Sequence, residues 1–267
     1  MTTPGNRTTL YTLTYCRTSE TLYGNTLLFK TLRVGFPTAT VRVVDNHSTP
    51  EAASHIQRLC KDNDCEFLEL AASTPYHWIR DLILEPTLHG TVVFVHPDIC
   101  FWKNCENWSF DKLIAGRLIP MHRNEVTGWI MMPLLHSSFL WIEDIDQLRS
   151  RYLREYHLSE IERLDAFLPY MFKHEEEWYK FDAAANLYAA LRDEVYCFGE
   201  KELDSFDHLF AGTYLDAISQ SMNDRDRQRI LEIHAAARDD FRRLKGIWKE
   251  QERYFRQRAI GLAAPCF

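Results

Sequence analysis

The 267-residue chain carries 31 Lys and Arg against 38 Asp and Glu, a formal net charge of −7, with 46% hydrophobic and 26% charged residues. That balance belongs to a globular protein and excludes a disordered one, while its sign excludes a surface that grips phosphate backbones on every side. Only ten glycines occur, and no G-x-G-x-x-G, G-x-x-x-x-G-K-[ST] or G-x-S-x-G is present, so dinucleotide, P-loop and serine-hydrolase readings lack their usual motifs.

Residues 1 to 100 repeat one unit, a β-rich run followed by a helix with a start signal, which is the grammar of an α/β domain. Thr8 to Tyr15 (TTLYTLTY) predicts a first strand, and Leu22, Leu27, Leu28 and Leu32 at helical spacing predict a helix over Ser19 to Val34. Thr40 to Asp45 (TVRVVD) predicts the second strand. Ser48-Thr49-Pro50-Glu51 then offers a hydroxyl cap, a proline in the first turn and an acid just inside it, so a helix opens there and runs to about Lys61. Cys65 to Leu70 (CEFLEL) predicts a third strand. Ser73-Thr74-Pro75 repeats the start signal for a helix carrying Trp78, Ile79, Leu82 and Ile83 and limited by Pro86. Thr91 to Val95 (TVVFV) is an unbroken β-branched and aromatic run, the pattern of a strand covered on both faces near the centre of a parallel sheet.

After Asp98 the chain grows rich in aromatics (Trp102, Trp108, Trp129, Trp141, Trp178), with a β-like run over Ser137 to Ile142 and helices over Ile145 to Tyr156 and Phe181 to Arg192. From Asp216 onward helix formers dominate. Asp224 to Arg258 holds 11 Lys and Arg against 7 Asp and Glu, a pattern of a helix packed by one face, or of a surface for an anionic partner such as membrane lipid or nucleic acid. The stretch Trp129 to Ile142, broken by Pro133 and His136, is too short to span a bilayer, and Met1 to Arg7 is polar with no apolar run behind it. Seven cysteines at spacings such as Cys60/Cys65 and Cys100/Cys105 fit neither a zinc pair nor a disulfide framework. The expectation is a cytoplasmic protein with reduced thiols and no transmembrane segment.

In open α/β sheets ligands bind beyond the carboxyl ends of the strands, which singles out Tyr15-Cys16-Arg17, Asp45-Asn46-His47-Ser48 and His96-Pro97-Asp98. His96 and Asp98 stand two apart at the end of a buried strand, so their side chains point the same way. An imidazole with a carboxylate suits a divalent cation such as Mn²⁺ bridging to phosphates; the alternative is a turn in which Asp98 caps backbone N–H groups. Asp45 suits hydrogen bonds from a base or ribose, or else belongs to the first turn of the second helix.

The order TLYTLTYCRTSETLYGNTLLFKTL, VRVVDNHSTPE, HWIRDLIL and GTVVFVHPDICF resembles the GT-A glycosyltransferases over about the first hundred residues. That resemblance implies a Rossmann-like, mostly parallel central sheet flanked by helices. It also implies a catalytic domain over 1–215, with a nucleotide-binding half (1–100) and an acceptor half (101–215), and a helical extension over 216–267. By the resemblance Tyr15 and Arg17 line the uracil of UDP or another base, Asp45 with Asn46 beside it holds the base or ribose, and Arg80 and Asp81 lie near the diphosphate. His96-Pro97-Asp98 stands in place of the Asp-x-Asp motif, with Pro97 and Asp98 against the donor and Asp98 meeting Mn or Mg. Because His96 replaces the first acid, weak metal binding or metal independence stays open.

WYKFDAA and FDHLFAGT further resemble the acceptor-side acid and late histidine of such enzymes. They imply Asp182 as general base, with Asp144 as rival, and His208 as a metal ligand with Asp98 and His96. Arg80 reads otherwise as a solvated helix face, Asp182 as a helix cap and His208 as a structural histidine. The implied activity moves a sugar from a nucleoside-diphosphate sugar to an acceptor hydroxyl on a glycan, lipid-linked sugar, protein or nucleic acid base. Two alternatives are a non-catalytic relative that binds a nucleotide or partner, and a nucleotidyltransferase. The latter is disfavoured because no Gly-rich phosphate loop follows the first strand.

Overall fold

The computed structural model describes residues 8–17, 19–71, 78–123, 128–155, 170–181 and 184–208. Its first half alternates as the sequence predicts: β1 (Thr9–Thr14), α1 (Ser19–Gly35), β2 (Thr40–Asp45), α2 (Pro50–Asp62), β3 (Glu66–Glu69), α3 (Trp78–Leu84) and β4 (Val92–Val95). There follow β5 (Ile99–Phe101), β6 (Ile114–Ile119), β7 (His122–Arg123), β8 (Ile130–Met131), β9 (Leu134–Ile142) and α4 (Ile145–Glu155). The last described elements are β10 (Tyr170–His174), β11 (Glu177–Phe181), α5 (Ala185–Leu191), a 3-10 turn over Arg192–Glu194, β12 (Val195–Cys197), α6 (Glu200–Leu203) and β13 (Phe206–His208). The Ser73-Thr74-Pro75 start signal and the helical extension expected over 216–267 lie outside the described residues.

Seven strands form the central sheet in the order β12-β6-β9-β4-β1-β2-β3. Each neighbouring pair is parallel except those made by β9, which runs against both β4 and β6. The molecule is thus α/β with a mostly parallel sheet. Side chains alternate across β4, and both faces are covered. Val93 and Val95 join one core with Leu28, Leu32, Phe36, Phe101 and Trp141, while Val92 and Phe94 join another with Ile79, Leu82, Leu140 and Leu148. Each such side chain stabilises by about 1.5–3 kcal/mol on burial, which is why this run has no polar position.

Local chemistry sets the helix ends. Thr49 caps α2 by accepting from the N–H of Ala52, with Pro50 in the first turn and Glu51 behind it. Because Thr49 supplies the cap, Ser48 is available for another task described below. Gly35 ends α1 where β5 crosses it, and a Cβ there would stand 2.4 Å from Phe101 Cγ, so only glycine permits this approach. Arg149 of α4 reaches across to donate to the carbonyls of Ile83 (2.8 Å), Glu85 (2.7 Å) and Leu88 (3.2 Å). These bonds hold the loop that leads into β4. Arg149→Met, which keeps much of the apolar stem, is expected to lower unfolding stability by about 1–3 kcal/mol through those orphaned carbonyls, read from urea denaturation.

Two readings of the second half need correction. The helix expected from Phe181 begins only at Ala185, and Phe181 instead ends β11 in a hairpin with β10. His174 pairs with Glu177, so the turn is Glu175-Glu176, and Glu175 takes the left-handed φ of 53°. A two-residue hairpin normally advertises itself with Gly or Asn, and this one has neither. The run expected over Ser137 to Ile142 is a longer strand that starts at Leu134, with consequences for the site.

Candidate metal and nucleotide site

The carboxyl end of β4 is held by its reversed neighbour. Val95 pairs with Phe139 in β9, and the next N–H, that of His96, donates to the Ser138 carbonyl at 2.9 Å. The chain then turns through Pro97 and Asp98, closed by the Ile99 N–H donating to the His96 carbonyl, and enters β5. β5 pairs antiparallel with β13, whose register sets His208 opposite Ile99 and therefore beside Asp98. His208 Nε2 lies 3.1 Å from Asp98 Oδ1, with the two side chains only 10% and 12% exposed. One ligand atom from each of His96, Asp98 and His208 lies within 4.8 Å of the other two.

A third imidazole belongs to this corner. The His136 ring, from β9, has its centre 5.4 Å from that of His208 and 6.4 Å from that of His96. Its Nδ1 accepts from the Ser138 N–H at 3.3 Å and lies 2.6 Å from the Ser138 hydroxyl, so the proton of the neutral ring sits on Nε2. Ser137 Oγ is 3.2 Å from His96 Nε2. Burial first, and the neighbouring His208 second, push His96 down to about 4 against the opposing pull of Asp98. Burial, His208, His96 and the Arg117 guanidinium hold His136 well below the ordinary histidine range. Near neutral pH both rings therefore keep an unprotonated nitrogen. The nitrogens of His96 and His208 and one carboxylate oxygen of Asp98, converging in a largely buried corner, are a donor set that fits a divalent transition-metal ion.

Beside this corner, at the carboxyl end of adjacent β1, Tyr15 is 48% exposed and the Arg17 guanidinium lies 4.9 Å from its ring centre. This pair offers a flat face and a charge at the carboxyl edge of the sheet. Cys16 between them is buried, and its Sγ accepts from Asn25 Nδ2 at 3.1 Å. Burial chiefly, with contributions from Asp45 and Asp98, pushes its thiol up to about 12.

No protein-family model matches the sequence, and no curated protein sequence matches it. Solved structures do resemble it at low identity. The glycosyltransferase GlyE of Streptococcus pneumoniae TIGR4 is 10% identical over 74% of this chain and 46% of its own length, with a TM-score of 0.45. The galactosyltransferase LgtC, in complex with donor and acceptor sugar analogs, is 9% identical over 72% of this chain and 73% of its own, also at 0.45. The mannosyltransferase PcManGT of Pyrobaculum calidifontis, in complex with GDP-Man and Mn²⁺, is 16% identical over 59% of this chain and 46% of its own, at 0.38. This chain spans less than half the length of GlyE and of PcManGT.

The structure brings His96, Asp98 and His208 together, with Pro97 in the turn between the first two. Asp45 proves to be fully buried, and its carboxylate accepts from Thr14 Oγ1 (2.9 Å), from the Ser48 N–H (3.0 Å) and from the Ser48 hydroxyl. Ser48 Oγ in turn accepts the Cys16 N–H at 2.8 Å, so Asp45 anchors the Tyr15-Cys16-Arg17 loop from within. Asn46 is buried beside it, its N–H donating to Thr14. Asp81 sits half-buried on α3, where its charge, after burial and the charge of Glu85, helps raise the Tyr11 hydroxyl to about 12; the cluster of ligand atoms does not include it. Asp144 accepts the N–H groups of Asp146 and Gln147 and so caps α4. Asp182 and the side chain of Arg80 lie outside the described residues.

Sequence reasoning missed His136, Ser137, Ser138 and Arg117 as members of the site. His136 stood out only as an interruption of an apolar run. The available signal was its spacing of two from Ser138 at the amino end of a strand, which faces the ligand edge only if that strand is reversed in the sheet.

Proposed function

We propose that this protein is a glycosyltransferase that moves a sugar from a nucleoside-diphosphate sugar to an acceptor hydroxyl. The observation that carries the reading is the convergence of His96, Asp98 and His208 where β4 ends, next to the exposed Tyr15 and Arg17 at the end of β1. His96, Asp98 and His208 would hold a divalent cation, and the chemistry that ion supplies is positive charge opposite a departing diphosphate. Tyr15 offers its face to the base, that of UDP in the reading made from sequence, and Arg17 its charge to the neighbouring phosphates. Arg117, whose charge bears on His136, gives the same corner a fixed cation from β6. Arg80 on α3 is assigned to the diphosphate and Asp182 to the acceptor proton by resemblance to the GT-A enzymes. The domain over 1–215 carries these roles, and the basic stretch beyond it is assigned to packing or to an anionic contact. The six described cysteines are free, which suits a cytoplasmic setting, and no described helix is long and apolar enough to cross a membrane.

A screen of nucleotide sugars by thermal shift and calorimetry, with and without a divalent ion, tests the proposal. Binding of at least one donor, followed by its hydrolysis or transfer, is the expected result; failure with every nucleotide overturns it. Arg117→Gln is expected to lower the turnover of any such donor about 10- to 100-fold with the fold intact, as loss of a group that supports a metal site from outside does, measured by release of nucleoside diphosphate. A second reading is a nucleotide- or partner-binding protein without transfer. It is favoured by the full internal engagement of the Asp45 carboxylate and by His96 in place of an acid. Donor binding without hydrolysis or transfer to any acceptor selects it.

A further inference from the structure

The corner at the end of β4 is unusual in its donors. Of the three groups that converge there, two are imidazoles and only one, Asp98, is a carboxylate. Mg²⁺ is a hard ion that takes oxygen ligands in near-ideal octahedral geometry and parts reluctantly with its water, so an imidazole nitrogen is a poor exchange for it. Imidazole suits Mn²⁺, Fe²⁺, Co²⁺ and Zn²⁺ increasingly well, and a single carboxylate leaves only one negative charge for a hard ion. We infer that this centre selects a borderline transition-metal ion over Mg²⁺, and that His96 and His208 are the residues that set the selectivity. The inference rests on the reading of this cluster as a metal centre given above.

Three features of the surroundings support it. His96 and His208 are positioned by backbone pairing rather than by flexible side chains: His96 by its N–H to Ser138, and His208 by strand register opposite Ile99. Pairing fixes where their main chains lie, and burial and the neighbouring Ser137 and Asp98 limit where the rings can turn. Ser137 Oγ stands 3.2 Å from His96 Nε2, and the two imidazole rings of His96 and His208 have centres 5.4 Å apart at an interplanar angle of 67°. His136 adds a third ring but turns its Nδ1 to Ser138, and the converging groups are two imidazoles and one carboxylate.

The test is metal titration of the intact, metal-stripped protein, using Co²⁺ as the probe because its visible absorption reports nitrogen ligation directly, with Mg²⁺ and Zn²⁺ as competitors. The expected result is Co²⁺ binding at least about 100-fold tighter than Mg²⁺, displaced by Zn²⁺. Either His96→Asp or His208→Asp, each exchanging an imidazole for an oxygen donor, is expected to reduce that ratio by about 10-fold or more and to alter the Co²⁺ spectrum. The two variants lie on different strands, so a folding defect in one, checked by circular dichroism, leaves the other to decide. Co²⁺ and Mg²⁺ binding within about 10-fold of each other, a ratio unmoved in the folded variants, or no metal binding at all overturns the inference. Nucleotide-sugar binding measured in chelator separates the two proposals. If it persists while selectivity fails, glycosyl transfer stands without this metal centre; if selectivity holds while no nucleotide binds, the donor reading falls alone.

Discussion

Asp98→Asn is expected to abolish divalent-ion-dependent nucleotide binding and turnover together. The amide keeps the size and shape of the side chain and can still meet His208 Nε2, now 3.1 Å from Asp98 Oδ1, so the β5–β13 corner should persist. What disappears is the only carboxylate among the three converging ligands, and with it the negative charge that makes a largely buried cation tolerable. The loss in metal affinity should reach about 100-fold or more, beyond the 10- to 100-fold typical of groups that merely support ligands. Calorimetric titration with Mn²⁺, repeated in the presence of the donor, measures it. Wild-type activity that survives exhaustive chelation, with Asp98→Asn equally active, would return leaving-group stabilisation to Arg17, Arg80 and backbone donors.

The first half of the fold was legible because each element there is built by local chemistry. The unbroken Val92–Val95 run needs both faces covered, and the Thr49-Pro50-Glu51 start of α2 works as the types of those residues require. His96, Pro97 and Asp98 could be picked out as candidates for the same reason, since they immediately follow the central strand. His208 was reachable only by resemblance, because its place beside Asp98 depends on the pairing of β13 with β5, two segments more than a hundred residues apart. His136, Ser138 and Arg117 were illegible because their contribution depends on β9 running backwards in a parallel sheet, which no local pattern announces. The β10–β11 hairpin was hidden by a turn whose left-handed residue is Glu175 instead of glycine. Asp45 carries two readings, toward a ligand or within its own turn, and its bonds to Thr14 and Ser48 show the internal one. A strand-end acid has the same sequence signature whether it faces a ligand or the protein's own N–H groups.

That ambiguity at Asp45 gives the second large expected effect. Its Oδ1 accepts from Thr14 Oγ1 and the Ser48 hydroxyl and its Oδ2 from the Ser48 N–H, in a position with no solvent exposure. Asp45→Asn removes the charge and turns one acceptor into a donor, so the Thr14 and Ser48 hydroxyls lose the charged oxygen to which both donate and must reverse their roles. The variant should lose about 1–3 kcal/mol of unfolding stability, the cost of leaving such groups unpaired in the interior. Nucleotide affinity should fall as well, because Ser48 carries the Cys16 N–H on the same oxygen and thereby fixes the backbone between Tyr15 and Arg17. Ser48→Ala separates anchoring from direct contact. It leaves the Asp45 carboxylate in place but removes the link to Cys16, so by the anchoring argument it should weaken nucleotide binding about 3- to 10-fold, through about 1 kcal/mol of lost loop order. If Asp45 touched the base or ribose itself, Ser48→Ala would leave affinity nearly untouched while Asp45→Asn destroyed it. Calorimetry on the two variants, with urea denaturation to correct for stability, reads the difference, and equal losses assign to Asp45 the task of holding Tyr15 and Arg17 where a base can stack.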